Sequence, residues 1–384
     1  MSYTPLDYAS MLGDKGRMGA YSAALKNAIG PDSVVLDLGT GTGYFAVLSC
    51  FLGARHVYAI EPNPAIALGK KLAAHNGTAE RITWYEKFST DVQLPEKVDI
   101  IVSDLRGLLP QNEGNISAIK DARTRFLKPN GVLLPQMDRL WMGITSDLDA
   151  YNNLRKPWLP VETDPIDLSP YSDGLANMFV SREGNSDSLL APKQLWTEID
   201  YYTAVSLNNR KTLNFTVDKP GTGHGFYLWF EAQVDDNSSY EFSPGSPVTV
   251  YGSAFFPWQK PLELAPSDSI QIDLSVHFGN DGYDWTWITH HEPSDRTRHE
   301  SHFKQSTFLD SNATQKDDLK KQSPSFVPRI GEKGRIAITA LEWMDHGLSL
   351  EEIARKLETQ FPERNKTTDE WLKTVSELSY TFAD

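Results

Sequence analysis

A glycine-rich loop between two apolar runs is the feature that most limits how this chain can fold. The run VVLDL at residues 34–38 leads into Gly39, Gly41 and Gly43, and the run HVYAIE at 56–61 follows after one helix-length segment. Glycine allows a tight turn and a close approach of the backbone to a ligand, and the first turn of a helix offers unpaired N–H groups. We therefore predict a strand, a ligand-binding loop and a helix at this point.

The alternation of β-rich and helical segments continues to about residue 145. Further β-rich runs lie at 81–86, 98–104 and 131–136, and helical patterns lie at 64–76 and 117–127. Strands that alternate with helices predict βαβ units with parallel strands. The predicted fold class is α/β: a Rossmann-like, doubly wound domain followed by an antiparallel β-barrel domain and a small helical tail.

Changes in composition along the chain predict the domain boundaries. After residue 145, short β-rich runs separated by Pro, Gly, Asn, Asp and Ser indicate an antiparallel barrel. The predicted parts are an N-terminal helical segment at 1–30, a Rossmann-like domain at 31–145, a barrel domain at 146–310 with an insertion at about 152–190, a linker at 311–330 and a helical tail at 331–384.

Acidic residues at the ends of the first two strands narrow the choice of ligand. Asp37 precedes the glycines, and Glu61 ends the second strand, where a carboxylate can accept both hydroxyls of a ribose. The glycine spacing is G-x-G-x-G, which differs from the G-x-G-x-x-G of dinucleotide-binding loops. An amino-acid-bearing sulfonium nucleoside is cationic, so nearby carboxylates favour it. The residues therefore predict S-adenosylmethionine as cofactor, with S-adenosylhomocysteine as its product.

Several segments, in the same order along the chain, resemble the protein arginine methyltransferases, a class I methyltransferase family. Residues 11–17 resemble that family's M-L-x-D-x-x-R, and VDIIVSDLRG at 98–107 resembles its V-D-I-I-I-S-E-W-M-G. ARTRFLKPNGVLLPQ at 122–136 is similar to its A-R-D-x-x-L-x-P-G-G-x-x-x-P. The resemblance covers about residues 3 to 300, and the chain is identified as a divergent, bacterial-type member.

This resemblance implies which residues hold the cofactor. Arg17 would pair with the cofactor's carboxylate, because a planar guanidinium matches a carboxylate in a bidentate geometry. Thr90 aligns near the acid that the family uses to hold the adenine amino group. The expected cofactor-binding set is Arg17, Asp37, Gly39, Thr40, Gly41, Gly43, Glu61, Pro62, Ser89 and Thr90.

The resemblance also implies methyl transfer to a guanidino nitrogen of arginine, in a protein, a peptide or the free amino acid. In the family, two acids on a hairpin loop hold the acceptor guanidinium, and they align here with Asp104 and Glu113. Arg106 stands where the family has Met, and residues 249–251 (Thr-Val-Tyr) replace its Thr-His-Trp signature. The candidate catalytic residues are Asp104, Glu113 and Arg106.

Two other functions stay open on the sequence alone. Arg106 could receive an acid group of a small metabolite or modified peptide that is methylated at a non-guanidino N or O. The chain could also be a catalytically inactive, dimeric scaffold of the same fold. A homodimer is expected because the insertion at about 152–190 occupies the place of the family's dimerisation arm.

Charge and composition exclude further classes of protein. The chain has 37 Lys+Arg against 51 Asp+Glu, a net charge of −14, which argues against nucleic acid as a partner. Cys50 is the only cysteine, so neither an intramolecular disulfide nor a cysteine-based zinc cluster is possible. His290, His291, His299 and His302 crowd one region, but a strand end running into a polar loop explains them, and we expect no metal site. With neither an export signal nor a membrane-length apolar run, the expectation is a cytoplasmic protein without a membrane partner.

The tail resembles a winged-helix module, and its phrase LSLEEIARKL is similar to small peptide-binding domains of peptide-modifying enzymes. Ser349 with Glu352, and Thr367 with Glu370, fit capping boxes and predict two helix starts. Acids outnumber bases in the tail, so a structural or dimer-forming role, or capture of a peptide substrate, is expected before DNA binding.

Overall fold

Contacts between residues divide the chain into two compact units, Met1–Ala313 and Thr314–Asp384. The computed structural model describes residues 4–112, 114–156, 166, 174–204, 208–246, 250–279, 282–309, 327–364 and 366–383.

Two capped helices, α1 (Pro5–Gly13) and α2 (Lys15–Ala28), open the first unit. Thr4 and Asp7 form a capping box at the start of α1, and the Asp14 carboxylate accepts the N–H of Arg17 at the start of α2. No residue of α1 is buried, whereas α2 buries a whole face. The Asp14 cap therefore starts the buried helix that carries Arg17 into the protein.

A parallel sheet of five strands, in the order β3-β2-β1-β4-β5, forms the next layer of the described chain. Its strands are β1 (Val34–Leu38), β2 (His56–Ile60), β3 (Ile82–Tyr85), β4 (Val98–Ser103) and β5 (Leu127–Leu134), and its connecting helices are α3 (Tyr44–Phe51), α4 (Ile66–His75) and α5 (Asn115–Phe126). Every residue of β1 is buried, as expected for a parallel strand covered on both faces. The Rossmann-like part of the predicted fold class is confirmed.

The strand order reverses where β1 lies beside β4, and ligands of open α/β sheets bind at such a point, outside the carboxyl ends of the strands. Leu38 and Ser103 are paired at the ends of these two strands. The glycine loop and the loop that begins with Asp104 therefore emerge side by side.

The described residues after 136 continue as two antiparallel sheets, which confirms the predicted barrel domain. The strands are β6 (Met137–Thr145), β7 (Val180–Arg182), β8 (Gln194–Asp200), β9 (Asn209–Thr216), β10 (Gly221–Asp235), β11 (Ser238–Glu241), β12 (Ser253–Leu264), β13 (Ser269–Gly279), β14 (Gly282–Glu292) and β15 (Ser301–Ser306). One sheet has the order β7-β12-β10-β6-β8 with β11 beside β10, and the other has the order β15-β14-β13-β9. One further helix, α6 (Leu148–Arg155), follows β6.

Aromatic side chains form much of the barrel core. The rings of Phe226 and Phe256 stack with their centroids 4.8 Å apart, and Trp287 meets the Phe256 ring edge-on at 5.1 Å. Trp285 and Trp287 are fully buried. Ring pairs of this geometry add to the free energy of burial itself.

Strand β6 belongs to the barrel, although it lies before residue 146. It pairs with β10 and β8, both antiparallel. The predicted boundary at 145 comes after this strand, because a local pattern cannot reveal pairing with strands that come much later in the chain. Of the predicted insertion at about 152–190, residues 157–165 and 167–173 lie outside the described residues, and β7 joins the barrel sheet beside β12.

In the described part of the second unit, three helices, Glu332–Asp345, Leu350–Gln360 and Thr368–Phe382, surround a small core that includes Trp371. Both predicted capping boxes are present, Ser349 with Glu352 and Thr367 with Glu370. The described part of residues 327–383 contains no strand, so the wing of a winged-helix module is not formed there. Among the helices that the structure describes in either unit, none has the length and apolar character needed to cross a membrane.

Replacing Ser349 by Ala is expected to destabilise the tail by about 1 kcal/mol, because the N–H of Glu352 at the start of the second tail helix loses the Ser349 hydroxyl as its acceptor. Hydrogen exchange should accelerate in that helix, and amides of the parallel sheet should be unaffected. Ser376→Ala, at an exposed position inside the third tail helix, is the control and should accelerate nothing. Unchanged exchange in the Ser349 variant would contradict the assigned cap.

Candidate active site

The glycine loop leaves the carboxyl end of β1 in a left-handed conformation that suits glycine. Gly41 has a φ of +53° and Gly43 a φ of +77°. A Cβ atom on Gly41 would lie 2.9 Å from the Tyr8 ring, and one on Gly43 would lie 2.7 Å from the Trp84 ring. The rings of Tyr8 and Trp84 therefore pack directly against this loop, and a side chain larger than that of glycine would clash with them.

Two buried acids, Asp37 and Glu61, flank the glycine loop. Asp37 is 1% exposed and accepts the hydroxyl of Thr40 at 2.5 Å. The Glu61 carboxylate accepts the N–H of Gly41 through one oxygen and that of Asn63 through the other, both at 2.9 Å. Glu61 thus links the end of β2 to the glycine loop by a hydrogen bond. It lies directly after β2, at the strand end where the sequence places it.

Burial raises the pKa of both acids, that of Asp37 to about 7. For Asp37 the hydrogen bonds from Thr40 and from the N–H of Ala46 lower the pKa, but burial is the larger effect, and the charge of Glu61 adds to the rise. Buried carboxylates of this kind favour a cationic ligand, which would stabilise their ionised forms. The chemistry of these groups fits a sulfonium nucleoside better than a pyrophosphate.

Asp104 follows β4 and forms a buried ion pair with Arg17 of α2 through the Arg17 Nε. Arg17 also donates from Nη1 to the carbonyl of Met11, at 2.9 Å. Burial alone would raise the pKa of Asp104, but the charges of Arg17 and Arg106 bring it below the ordinary value, so the carboxylate stays ionised. The predicted cofactor residue Arg17 and the predicted acceptor residue Asp104 are therefore direct neighbours.

Arg106 lies in the core between the parallel sheet and the barrel and is 2% exposed. Its Nε donates to Asp104 Oδ1 at 3.1 Å, and its Nη1 donates to Asp138 Oδ1 at 2.6 Å. Its Nη2 donates to the hydroxyls of Tyr240, at 2.8 Å, and of Tyr21. A guanidinium enclosed in this way does not support the alternative in which Arg106 receives the acid group of an acceptor.

Asp138 of β6 is a residue of this network that the sequence reasoning missed. It is fully buried, and the hydroxyl of Tyr201 donates to its second oxygen at 2.5 Å. Burial raises its pKa, and Arg106 and Tyr201 oppose that rise. The available signal was the alternation of β6, because Asp138 lies in phase with Leu140 and Met142, on the face that points inward. A carboxylate in that phase predicts a buried cationic partner.

Several predicted residues lie at the edge of this arrangement. Pro62 and Thr90 are exposed, and Thr90 donates to Asp91 at 3.3 Å. The carbonyl of Ser89 accepts a hydrogen bond from Arg125 at 2.6 Å. Glu113 and Thr249 lie outside the described residues.

Two of the four histidines at 290–302, His290 and His291, have carboxylate partners. His290 lies opposite His302 across β14 and β15, and its Nε2 is 3.6 Å from Glu300. His291 is buried and hydrogen-bonded to Asp268 at 3.1 Å. Within the described ranges, no group of three or more His, Cys, Asp or Glu side chains could hold a metal ion.

The raised pKa of Asp37 predicts a pH dependence of stability. In the folded chain its carboxyl stays protonated up to about pH 7, whereas in the unfolded chain it ionises near 3.8, so the folded state binds more protons between these values. Asp37 therefore contributes a free energy of unfolding that falls as the pH rises through this window. Asp37→Asn should make that fall smaller, measured by denaturant unfolding at about pH 5 and about pH 8. An equal fall in both proteins would contradict the raised pKa.

Comparisons with known proteins agree with this fold. The model of the family described as ribosomal protein L11 methyltransferase matches residues 22–133. The chain is 29% identical over 289 residues to a probable histone-arginine methyltransferase 1.4 of Arabidopsis thaliana. The alignment covers 71% of this chain and 55% of that protein. It is 42% identical over 141 residues to protein arginine N-methyltransferase PRMT10 of Oryza sativa subsp. japonica, over 36% of this chain and 37% of that protein.

Two solved structures share the fold. The protein arginine methyltransferase 10 of Arabidopsis thaliana, in an open conformation, matches with a TM-score of 0.68 and 22% identity, over 78% of this chain and 96% of that one. A PRMT1 enzyme–prozyme complex of Trypanosoma brucei with AdoHcy matches with a TM-score of 0.69 and 20% identity, over 78% and 97%. The chain spans about half the length of the first curated relatives it matches. The chain is thus similar in sequence to these arginine methyltransferases, and it shares the fold of the two solved ones.

Proposed function

We propose that the protein transfers a methyl group from S-adenosylmethionine to a guanidino nitrogen of arginine in a protein, a peptide or the free amino acid. The observation that carries this proposal is the position of Asp104. It is an ionised, buried carboxylate at the carboxyl end of β4, beside the glycine loop and in contact with Arg17. An acceptor cation held there would lie next to the cofactor site.

The proposed cofactor site uses the glycine loop, Asp37, Glu61 and Arg17. Glu61 would accept the ribose hydroxyls, and Arg17 would bind the carboxylate of the amino-acid part, since its guanidinium matches that group. When bound, S-adenosylmethionine supplies a methyl group on a positively charged sulfur. That cation, bound near Asp37, would stabilise the ionised form of the Asp37 carboxyl and so lower its raised pKa. Gly39, Thr40, Gly41 and Gly43 would line the cofactor site. Pro62, Ser89 and Thr90 are proposed for the adenine end.

The proposed role of Asp104, together with Glu113, is to hold and orient the acceptor guanidinium. Two carboxylates localise the positive charge on the nitrogens they contact, which leaves the remaining nitrogen more nucleophilic. Holding that nitrogen in line with the methyl group supplies much of the rate, because alignment removes most of the entropic cost of the encounter. Asp104 is ionised and therefore needs no prior proton loss to act in this way.

The names of the relatives support this proposal. Those quoted above are called arginine methyltransferases, and the Trypanosoma brucei complex contains AdoHcy. That complex is a heterotetramer, and for this chain we propose a homodimer. We propose a cytoplasmic location, no nucleic-acid partner, and a role for the tail in structure or peptide capture.

The two alternative functions are separated by direct measurements. A scaffold would fail to bind S-adenosylmethionine in calorimetry at near-millimolar concentration. Methylation of a small metabolite would be detected by incubating the protein with labelled S-adenosylmethionine and native cell extract, and then separating labelled small molecules from labelled proteins.

Asp104→Asn should lower kcat by about a hundredfold or more, since it removes a charge that holds the acceptor. Turnover is measured with labelled S-adenosylmethionine on a glycine-flanked arginine peptide and on L-arginine. Cofactor binding, measured by calorimetry, should persist in this variant and should instead be lost in Glu61→Gln.

Glu96→Gln is the control for both variants, because Glu96 forms an exposed ion pair with Arg55 away from the loop. It should leave kcat and cofactor affinity within about twofold of the wild type. Turnover of the Asp104 variant within a few-fold of the wild type would overturn the assignment of Asp104.

A further inference from the structure

The carboxylate proposed to hold the acceptor does not stand alone but lies between two guanidinium groups. Arg17 donates to one oxygen of Asp104, and Arg106 donates to the other at 3.1 Å. Two donors on two different oxygens fix the plane of a carboxylate, which a single ion pair would leave free to turn. The direction in which Asp104 points is therefore set by Arg106 as much as by Arg17.

Arg106 can set that direction because it is itself anchored. Its Nη1 donates to the fully buried Asp138 of β6 at 2.6 Å, and its Nη2 donates to the hydroxyls of Tyr21 in α2 and Tyr240 in β11. The guanidinium is thus hydrogen-bonded to side chains of helix α2 and of the barrel strands β6 and β11. Only a rigid, planar group with several donors can reach all of these partners together.

The charges of this network balance. Arg17 and Arg106 contribute two positive charges, and Asp104 and Asp138 contribute two negative charges, all buried and in contact. Without Asp138, the two guanidinium groups would face one carboxylate. Asp138 therefore allows Arg106 to contact Asp104 without leaving an unpaired charge in the core.

We propose that Arg106, anchored by Asp138, is a positioning residue that orients the Asp104 carboxylate for the methyl acceptor. This inference rests on the proposed function, which gives Asp104 the acceptor. In this inference, Arg106 acts on the substrate only through Asp104 and does not contact the substrate itself. It also gives the barrel a part in the reaction, because β6 supplies the anchor.

The test removes Arg106 and Asp138 together, as Arg106→Met/Asp138→Asn, so that no buried charge is left unpaired. We expect kcat to fall by about tenfold or more on the glycine-flanked arginine peptide, because Asp104 loses its orientation. The Kd for S-adenosylmethionine should stay within about threefold, since Arg17 and Glu61 remain. A kcat within twofold of the wild type in the folded variant would overturn the proposal.

A milder variant covers the case in which the double variant fails to fold. Tyr240→Phe removes one acceptor from Arg106 and no charge, and it should lower kcat more than it changes the Kd for S-adenosylmethionine. Unchanged kcat would count against the proposal. The matched control is Arg139→Met/Glu198→Gln, an exposed ion pair of 2.9 Å between strand β6 and its neighbour β8, which should leave kcat unchanged.

A second readout does not depend on turnover. The Nε–H resonance of Arg106, assigned by its loss in the double variant, should shift in Asp104→Asn and stay in place in the Arg139/Glu198 control. If the wild type methylates neither the peptide nor L-arginine, the proposed function fails, and the resonance alone decides whether Arg106 orients Asp104. A resonance that does not respond to Asp104→Asn would overturn the inference.

Discussion

The contact between Arg106 and two carboxylates, Asp104 and Asp138, joins the two layers of the first unit. Asp104 follows strand β4 of the parallel sheet, and Asp138 lies near the start of the first barrel strand, β6. Breaking a buried pair by removing one partner typically costs about 3–5 kcal/mol, because the other charge stays buried. The geometry between sheet and barrel therefore depends on all three residues being present.

The position of the candidate site follows from the strand order of the parallel sheet. Because β1 and β4 are neighbours at the point where the order reverses, their loops open side by side. Helix α2 then brings Arg17 to the same place, where it meets Asp104. A proposed cofactor residue and a proposed acceptor residue that are 87 positions apart in the sequence thus share one ion pair.

Much of this arrangement could be predicted from local patterns. The glycines at 39, 41 and 43 with Asp37 and Glu61 indicated the loop, because strand ends and glycine spacing are local properties. Arg17 and Asp104 were found through short motifs that resemble a family. Asp138 was missed since it lies outside those motifs. The pairing of β6 with the barrel strand β10 was not predicted either, because strand pairing is not local.

The sequence by itself determined the α/β class, the cofactor loop and the two capping boxes of the tail, since each depends on residues within one or two turns of the chain. Only the tertiary structure decided what Arg106 does. As an isolated cation beside an acidic loop, it was open to either a substrate or a protein partner. Folding encloses it with Asp104, Asp138, Tyr21 and Tyr240, and a charge that deep in a protein needs its partners there.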